Sequence, residues 1–325
     1  MILSSNSEIT AMGTYIPEKK LTNQDLEQMV DTSDEWIVKR TGIKERFLSA
    51  DNEFASDMAI KAVQNLLDNH PVTLDDVEMV IVTAFVPDHL TPSVSALVAG
   101  HFNMHTAGTY DLHTACSGFA YGFITANSFI SSGQAKKILL VTSETPSKVT
   151  DYTDRNTCIL FGDAATATLI EKGTETKLFA SNFGTDGDLA DKVFCTQFSP
   201  AVNGTKPEKS NLIWQDGKAL YTHIVKNVSG HIQELLDEAH MDISDIDWFV
   251  PHSANLRMID ALRERLGFGR EKMLTSIEQY GNTSSSSIPL AISLALSKGQ
   301  IKHGQKALIY GFGGGVTYAG AILEL

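Results

Sequence analysis

Two rhythms of apolar and polar positions alternate along the chain. Short runs rich in Val, Ile and Leu occur at residues 78–84, 109–112 and 137–142, and longer stretches with helical spacing lie between them. That alternation predicts βαβ units, in a largely parallel sheet covered by helices on both faces. Residues 108–112 predict the end of a strand. Residues 117–131 predict a helix with Phe119, Phe123, Ala126 and Ile130 on one stripe. A further buried strand is expected at 246–250 and a further helix at 286–297.

The pattern also repeats. Thr73-Leu-Asp-Asp-Val-Glu-Met-Val-Ile81 and Asp242-Ile-Ser-Asp-Ile-Asp-Trp-Phe-Val250 match almost position for position, under a shift that carries Thr73 onto Asp242. Gly133-Gln-Ala-Lys-Lys-Ile-Leu-Leu140 is echoed by Gly304-Gln-Lys-Ala-Leu-Ile-Tyr310. The segment 161–171 is echoed by 312–324. Three echoes in the same order, with a period near half the chain, indicate a duplicated domain rather than a solenoid. The polar link at 172–177 breaks the pattern, so the halves are expected at 1–172 and 173–325. Residues 182–211, rich in Gly, Asp, Ser, Pro and Lys, read as a long irregular connection of the kind that often carries function.

Composition narrows the classes. The chain has 325 residues, 42% hydrophobic and 20% charged, which is ordinary for a globular protein. A net charge of -13 offers no global attraction to nucleic acid or anionic membrane. No run approaches the length needed to span a bilayer, and the first residues lack the basic and apolar regions of a signal peptide. The three cysteines, Cys116, Cys158 and Cys195, are widely spaced, and no histidine cluster accompanies them. A disulfide framework, a structural zinc site or another metal centre is therefore not expected, and a reducing cytoplasm fits best. No cofactor is implied.

Four segments carry candidate chemistry. Asp111-Leu-His-Thr-Ala-Cys-Ser-Gly-Phe119 puts Cys116 where a strand gives way to a helix, among small residues. The helix dipole there favours a thiolate nucleophile, although a buried structural cysteine fits the same segment. His252 lies at the C-terminal end of the 246–250 strand, where open α/β sheets place ligands. Asn282, in Tyr280-Gly-Asn-Thr-Ser-Ser-Ser-Ser-Ile-Pro289, precedes a helix and also suits a turn or cap. The shift that relates the halves carries Cys116 onto Ser285, close to Asn282, which draws the two toward one site. The run Gly311-Phe-Gly-Gly-Gly315 permits close backbone approach, either as a tight hairpin or as an amide donor to an oxyanion.

Together these segments resemble the β-ketoacyl-acyl carrier protein synthase III family of condensing enzymes. The resemblance runs the full length. It includes Asp34-Glu-Trp-Ile-Val-Lys-Arg-Thr-Gly42 and Asp154-Arg-Asn-Thr-Cys-Ile-Leu-Phe-Gly-Asp163 besides the Cys116, His252, Asn282 and glycine-rich motifs. It implies a thiolase-like α/β fold, with duplicated halves in a five-layered αβαβα sandwich, normally a homodimer. It implies initiation of type II fatty acid synthesis, by decarboxylative condensation of an acyl-CoA with malonyl-acyl carrier protein. Cys116 would carry the acyl group, and His252 and Asn282 would stabilise the enolate. The backbone amides of Cys116 and Gly314 would form the oxyanion hole. Trp36 and Arg155 would sandwich the CoA adenine, Arg40 would meet phosphate, and Asn255 the pantetheine arm. Arg257 would dock the acyl carrier protein, with Arg263, Arg265, Arg270 and Lys272 as a flanking basic patch or an ordinary solvated face.

The chain departs from the family at two places. Thr91 stands where a phenylalanine commonly closes the acyl pocket across the dimer, which suggests branched or longer primers. Thr222 stands where a lysine is often found. Competing readings are another thiolase-fold condensing enzyme making a quinolone or polyketide, a cysteine thioesterase, and a catalytically silent protein of the same fold.

Overall fold

A computed structural model describes residues 5–325; residues 1–4, part of the segment read as lacking a signal peptide, lie outside the described residues. The first part of the chain contributes β1 (Ser7–Tyr15), a small hairpin of β2 (Lys19–Thr22) and β3 (Glu45–Leu48), then β4 (Met79–Thr83), β5 (Gly108–Leu112), β6 (Lys137–Glu144) and β7 (Ala164–Lys172). The second part contributes β8 (Leu178–Thr185), a hairpin of β9 (Val193–Cys195) and β10 (Ile213–Gln215), then β11 (Trp248–Pro251), β12 (Lys306–Gly313) and β13 (Thr317–Glu324).

Two large sheets result, ordered β1-β7-β6-β4-β5 and β11-β12-β13-β8. They share one plan. In the first, β4 runs parallel to β5 and β6, while β6–β7 and β7–β1 are antiparallel. In the second, β11 runs parallel to β12, and β12–β13 and β13–β8 are antiparallel. A parallel bridge between Phe249 and Met273 stands where β5 stands in the first sheet. The register repeats too: Met79 faces Ile138 and Trp248 faces Ala307, both partners moved by the shift that carries Thr73 onto Asp242.

The expectation of a largely parallel sheet is corrected, since each sheet is mixed. The second makes the reason plain. β12 passes to β13 through the short turn Gly314–Val316, and such a connection returns only antiparallel, because a parallel crossover needs about a dozen residues.

The layering follows from side chains. Helices Gly118–Ser131 and Ser287–Ser297 are apolar nearly all round, as a helix buried on every side must be. Phe119, Phe123, Ala126 and Ile130 pack with Ile288, Ala291, Ile292 and Ala295 between the inner faces of both sheets. Burying each large apolar side chain contributes roughly 1.5–3 kcal/mol. Helices Ala55–Asn69 and Val94–His101 cover the outside of the first sheet, and Ser229–Ala239 and Leu256–Leu266 the outside of the second. The order is helix, sheet, helix, sheet, helix.

The segment 182–211 is less irregular than expected. It begins inside β8, passes through a 3-10 turn at Gly187–Lys192 and contains β9. Strands as short as β9 show too little alternation to be read from sequence. No helix among the described residues is long and apolar enough to cross a membrane, and no cluster of His, Cys, Asp or Glu among them would hold a metal.

Candidate active site

β5 ends at Leu112, and Ala115 then takes a left-handed conformation, φ 47°. A 3-10 turn at Ala115–Ser117 follows, and the α-helix starts only at Gly118. The sharp turn, held against the cost of a left-handed alanine, puts Cys116 ahead of the helix rather than within it. Glycines in and beside β12 make room. A Cβ on Gly311 would lie 2.8 Å from Ser117 Cα, and one on Gly313 would lie 2.6 Å from Cys116 Cβ and 3.0 Å from Sγ. The same backbone recurs at the equivalent place in the second half: Ser284 has φ 50°, Ser284–Ser286 form a 3-10 turn, and the helix starts at Ser287.

The Ser284 hydroxyl and the backbone N–H groups of Cys116 and Gly314 act to lower the pKa of the Cys116 thiol. Even so, burial pushes the thiol up to about 12, and the nearby Glu144 carboxyl adds to the shift. This corrects the expectation of a dipole-stabilised thiolate. Part of the residue's surface stays accessible, but the sulfur is enclosed by protein, and removal from water outweighs a helix end that starts just downstream. Glu144, the last residue of β6, accepts from the Phe85 N–H (3.0 Å) and the Ser285 hydroxyl. Burial raises its pKa to about 7. The Ser285 hydroxyl also lies 2.7 Å from Thr83 Oγ1.

His252 directly follows β11, its N–H donating to the Tyr310 carbonyl at 2.8 Å. Its Nδ1 is 2.7 Å from Ser287 Oγ, which itself accepts from the Ser253 N–H at 3.2 Å. In the tautomer that carries the ring proton on Nε2, the Ser287 hydroxyl donates to Nδ1 and Nε2–H is the remaining ring donor. Burial drives the His252 pKa down to about 3, so the ring is neutral. Asn282 is fixed by its own backbone, its N–H donating to the Leu160 carbonyl (2.8 Å) and its carbonyl accepting from Gly162 (3.1 Å). Its Oδ1 accepts from the Ser284 N–H at 2.9 Å, which leaves Nδ2 as the outward donor, with one long 3.5 Å bond to the Ala254 carbonyl.

Cys116, His252, Asn282 and Gly314 line one cavity of about 150 Å³. Inward it meets an apolar chamber of about 50 Å³ bounded by Phe85, Pro146, Phe161, Phe194 and Ile213, with Cys116 at the junction. Outward it shares Leu160, Tyr221 and Asn255 with an open cavity of about 660 Å³ that reaches Trp36, Arg40 and Arg257. Asn255 caps the helix Leu256–Leu266, its side chain accepting from the Arg257 N–H.

The remaining candidates are placed as follows. The Arg40 and Arg155 guanidinium carbons lie 4.6 and 4.7 Å from the Trp36 ring centre. A ring inserted between Trp36 and Arg155 needs about 3.5–4 Å on each side, so Arg155 has to swing outward to make a sandwich. Thr91 is exposed and lines none of these cavities within its own chain. Arg263 and Arg270 are engaged with Asp260, and Lys272 donates to the Ile246 carbonyl, which leaves Arg257 and Arg265 as the freer charges of that segment. Sequence reasoning missed Glu144, Trp214, Tyr221 and the aromatic residues of the inner chamber. Only the position of Glu144 at the end of a wholly buried strand could have singled it out.

Family models described as 3-oxoacyl-[acyl-carrier-protein (ACP)] synthase III and its C-terminal part match residues 110–187 and 236–325. A relative from Halalkalibacterium halodurans, beta-ketoacyl-[acyl-carrier-protein] synthase III 2, is 49% identical over 98% of this chain and 97% of its own. The crystal structure of the Thermus thermophilus synthase III superposes with a TM-score of 0.93 at 40% identity, covering 98% of both chains. A priming β-ketosynthase from the R1128 polyketide pathway superposes at 0.91 with 30% identity, covering 99% of this chain and 97% of its own.

Proposed function

Since the chain belongs to the 3-oxoacyl-[acyl-carrier-protein] synthase III family and has the thiolase fold, we propose that it starts type II fatty acid synthesis by condensing an acyl-CoA primer with malonyl-acyl carrier protein. Cys116 is the nucleophile. Its thiol attacks the thioester, forming the acyl-Cys116 bond as the C–S bond to CoA breaks, and its proton leaves with CoA as CoA-SH. Malonyl-acyl carrier protein then loses CO2, and the electron pair left behind is held as an enolate. His252 Nε2–H and Asn282 Nδ2 donate to the enolate oxygen, neither changing its charge. The carbanion attacks the acyl carbonyl, whose oxyanion sits on the amides of Cys116 and Gly314. Collapse releases 3-oxoacyl-acyl carrier protein and Cys116 thiolate, which takes one proton from solvent to restore the thiol.

The supporting observation is the convergence of Cys116, His252, Asn282 and Gly314 on one cavity between a small apolar chamber and an open mouth. Trp36, Arg40 and Arg155 bind the CoA nucleotide, Asn255 the pantetheine arm, and Arg257 the acidic carrier protein. We assign the duplicated halves to 1–172 and 173–325. We read the protein as a cytoplasmic homodimer in which Thr91 of one protomer closes its partner's acyl pocket. The unbonded cysteines and the exposed Leu90 and Phe198 support that reading.

Intact mass after mixing with acetyl-, isobutyryl- and longer acyl-CoA tests the mechanism. An adduct on Cys116 that disappears as malonyl-acyl carrier protein yields CO2 and 3-oxoacyl product is expected. Absence of any adduct overturns the mechanism, and decay to free acid points to a thioesterase.

A further inference from the structure

Arg46, on β3, is wholly buried and heads the large side chains sealed from solvent. Among the described residues no carboxylate lies within ion-pair distance of it. Its guanidinium instead holds three polar groups from two separate stretches of the chain. Nη1 donates to Asn23 Oδ1 (2.8 Å) and the Leu21 carbonyl (3.3 Å), and Nη2 to the Ile159 carbonyl (2.7 Å), while Nε has no partner. Asn23 is also wholly buried, and its Nδ2 donates at 2.8 Å to both Asp34 Oδ1 and the Ile43 carbonyl. Asp34 opens the helix Asp34–Thr41 that carries Trp36 and Arg40, and Ile43 follows the Gly42 cap that closes it. Ile159 is the C-cap of the helix Arg155–Cys158.

A buried cation without a counter-ion is expensive, and an apolar side chain of similar length would fill the space without that cost. What the apolar chain lacks is a rigid fork able to fix groups in several directions. Here the fork reaches both walls around Trp36, one directly and one through Asn23. We propose that Arg46 is a positioning residue for the nucleotide end of acyl-CoA. It fixes the Trp36–Arg40 helix and the Arg155 helix relative to each other, and it takes no part at the thioester. This rests on the reading of Trp36, Arg40 and Arg155 as CoA-binding residues.

The full-length protein tests this with two thioesters, acetyl-CoA and S-acetylpantetheine, which lacks the nucleotide. Arg46→Met keeps the aliphatic stem that packs beside Gly162 and Gly281, next to Asn282, and removes the fork. KM for acetyl-CoA should rise roughly tenfold, about what one well-placed hydrogen bond contributes, while kcat and the S-acetylpantetheine kinetics stay within about twofold. Asn23→Ala, which leaves Arg46 in place and cuts its link to Asp34, should give the same split at about threefold, and it carries the test if Arg46→Met fails to fold. Equal losses with both thioesters, or no change with either, overturn the proposal. Trp36→Ala separates the two readings. If it spares acetyl-CoA, the CoA assignment falls and this inference with it. If it shows the split while the Arg46 and Asn23 variants do not, this inference alone falls.

Discussion

Cys116 and Ser285 hold the same place in the same turn of the two halves, yet Cys116 lines a cavity while Ser285 is wholly buried. The surroundings correspond as well. Ser285 meets Thr83 at the end of β4 and Glu144 at the end of β6. The matching residues of the second sheet are His252, next after β11, and Gly313, at the end of β12, and both line the cavity with Cys116. Where the first sheet ends in a carboxyl that fills the space and bonds the turn, the second ends in a glycine, and Cys116 takes the space a side chain there would need. The turn that carries Cys116 is thus present twice, and the side chains at two strand ends decide which copy is hollow. The connections diverge too. The long one after β6 carries Arg155 and Phe161, and the short one after β12 brings the Gly314 amide to Cys116.

The largest effect expected from breaking this asymmetry is at the nucleophile. Cys116→Ala should abolish the acyl adduct in intact mass and cut condensation by about 10⁴-fold or more. Next, removing a donor, as in His252→Ala or Asn282→Ala, should lower condensation about 10²–10³-fold while the Cys116 adduct still forms, so the acylated protein accumulates. Gly313→Ala makes the open end more like the filled one. Its methyl has to displace Cys116, and acylation should slow by about 10²-fold, since small misplacements at reacting atoms cost that much; stopped-flow CoA release measures it.

Glu144→Gln keeps the shape of the filled end and removes its charge. The Cys116 thiol should then titrate lower, and iodoacetamide labelling should speed up at a given pH. Stability shifts in a defined window. The folded pKa of about 7 lies above the ordinary 4.5, so the carboxyl's contribution is complete below about pH 4.5 and is lost as pH rises through 7. Thermal melts should show the parent falling behind the Gln variant across that range and by a constant margin above it. The smallest effect should come from Ser285→Cys. With Thr83 and Glu144 filling the mirror site, the chain should still take one acyl group, and a second acyl mass would break the comparison.

Much of this plan was legible in the chain. The echo between the halves showed which strands correspond, and the all-apolar central helices announced their own burial. Cys116, His252 and Asn282 stood out because the proposed nucleophile and donors lie at the ends of elements with strong patterns. Other features leave no local trace. The left-handed turn is built on Ala115 and Ser284, residue types that do not advertise it, and it packs against β12 in one half and against β6 in the other. Arg46 sits in an ordinary-looking Glu45-Arg46 pair, and only the fold shows that one faces inward while the other is partly exposed. Glu144 reads as the polar end of a strand until the Ser284–Ser286 turn packs onto it. The dipole argument for Cys116 was sound locally and was overtaken by burial, which a sequence does not report.

That burial has a further consequence. Peroxide and similar oxidants react with thiolates that they can reach, and burial pushes the Cys116 pKa up, which favours the less reactive thiol. The same placement that, on the proposed reading, makes the residue wait for a thioester on a long arm also disfavours its ionisation, so the protein should retain this thiol through oxidative conditions that would inactivate an exposed, ionised cysteine.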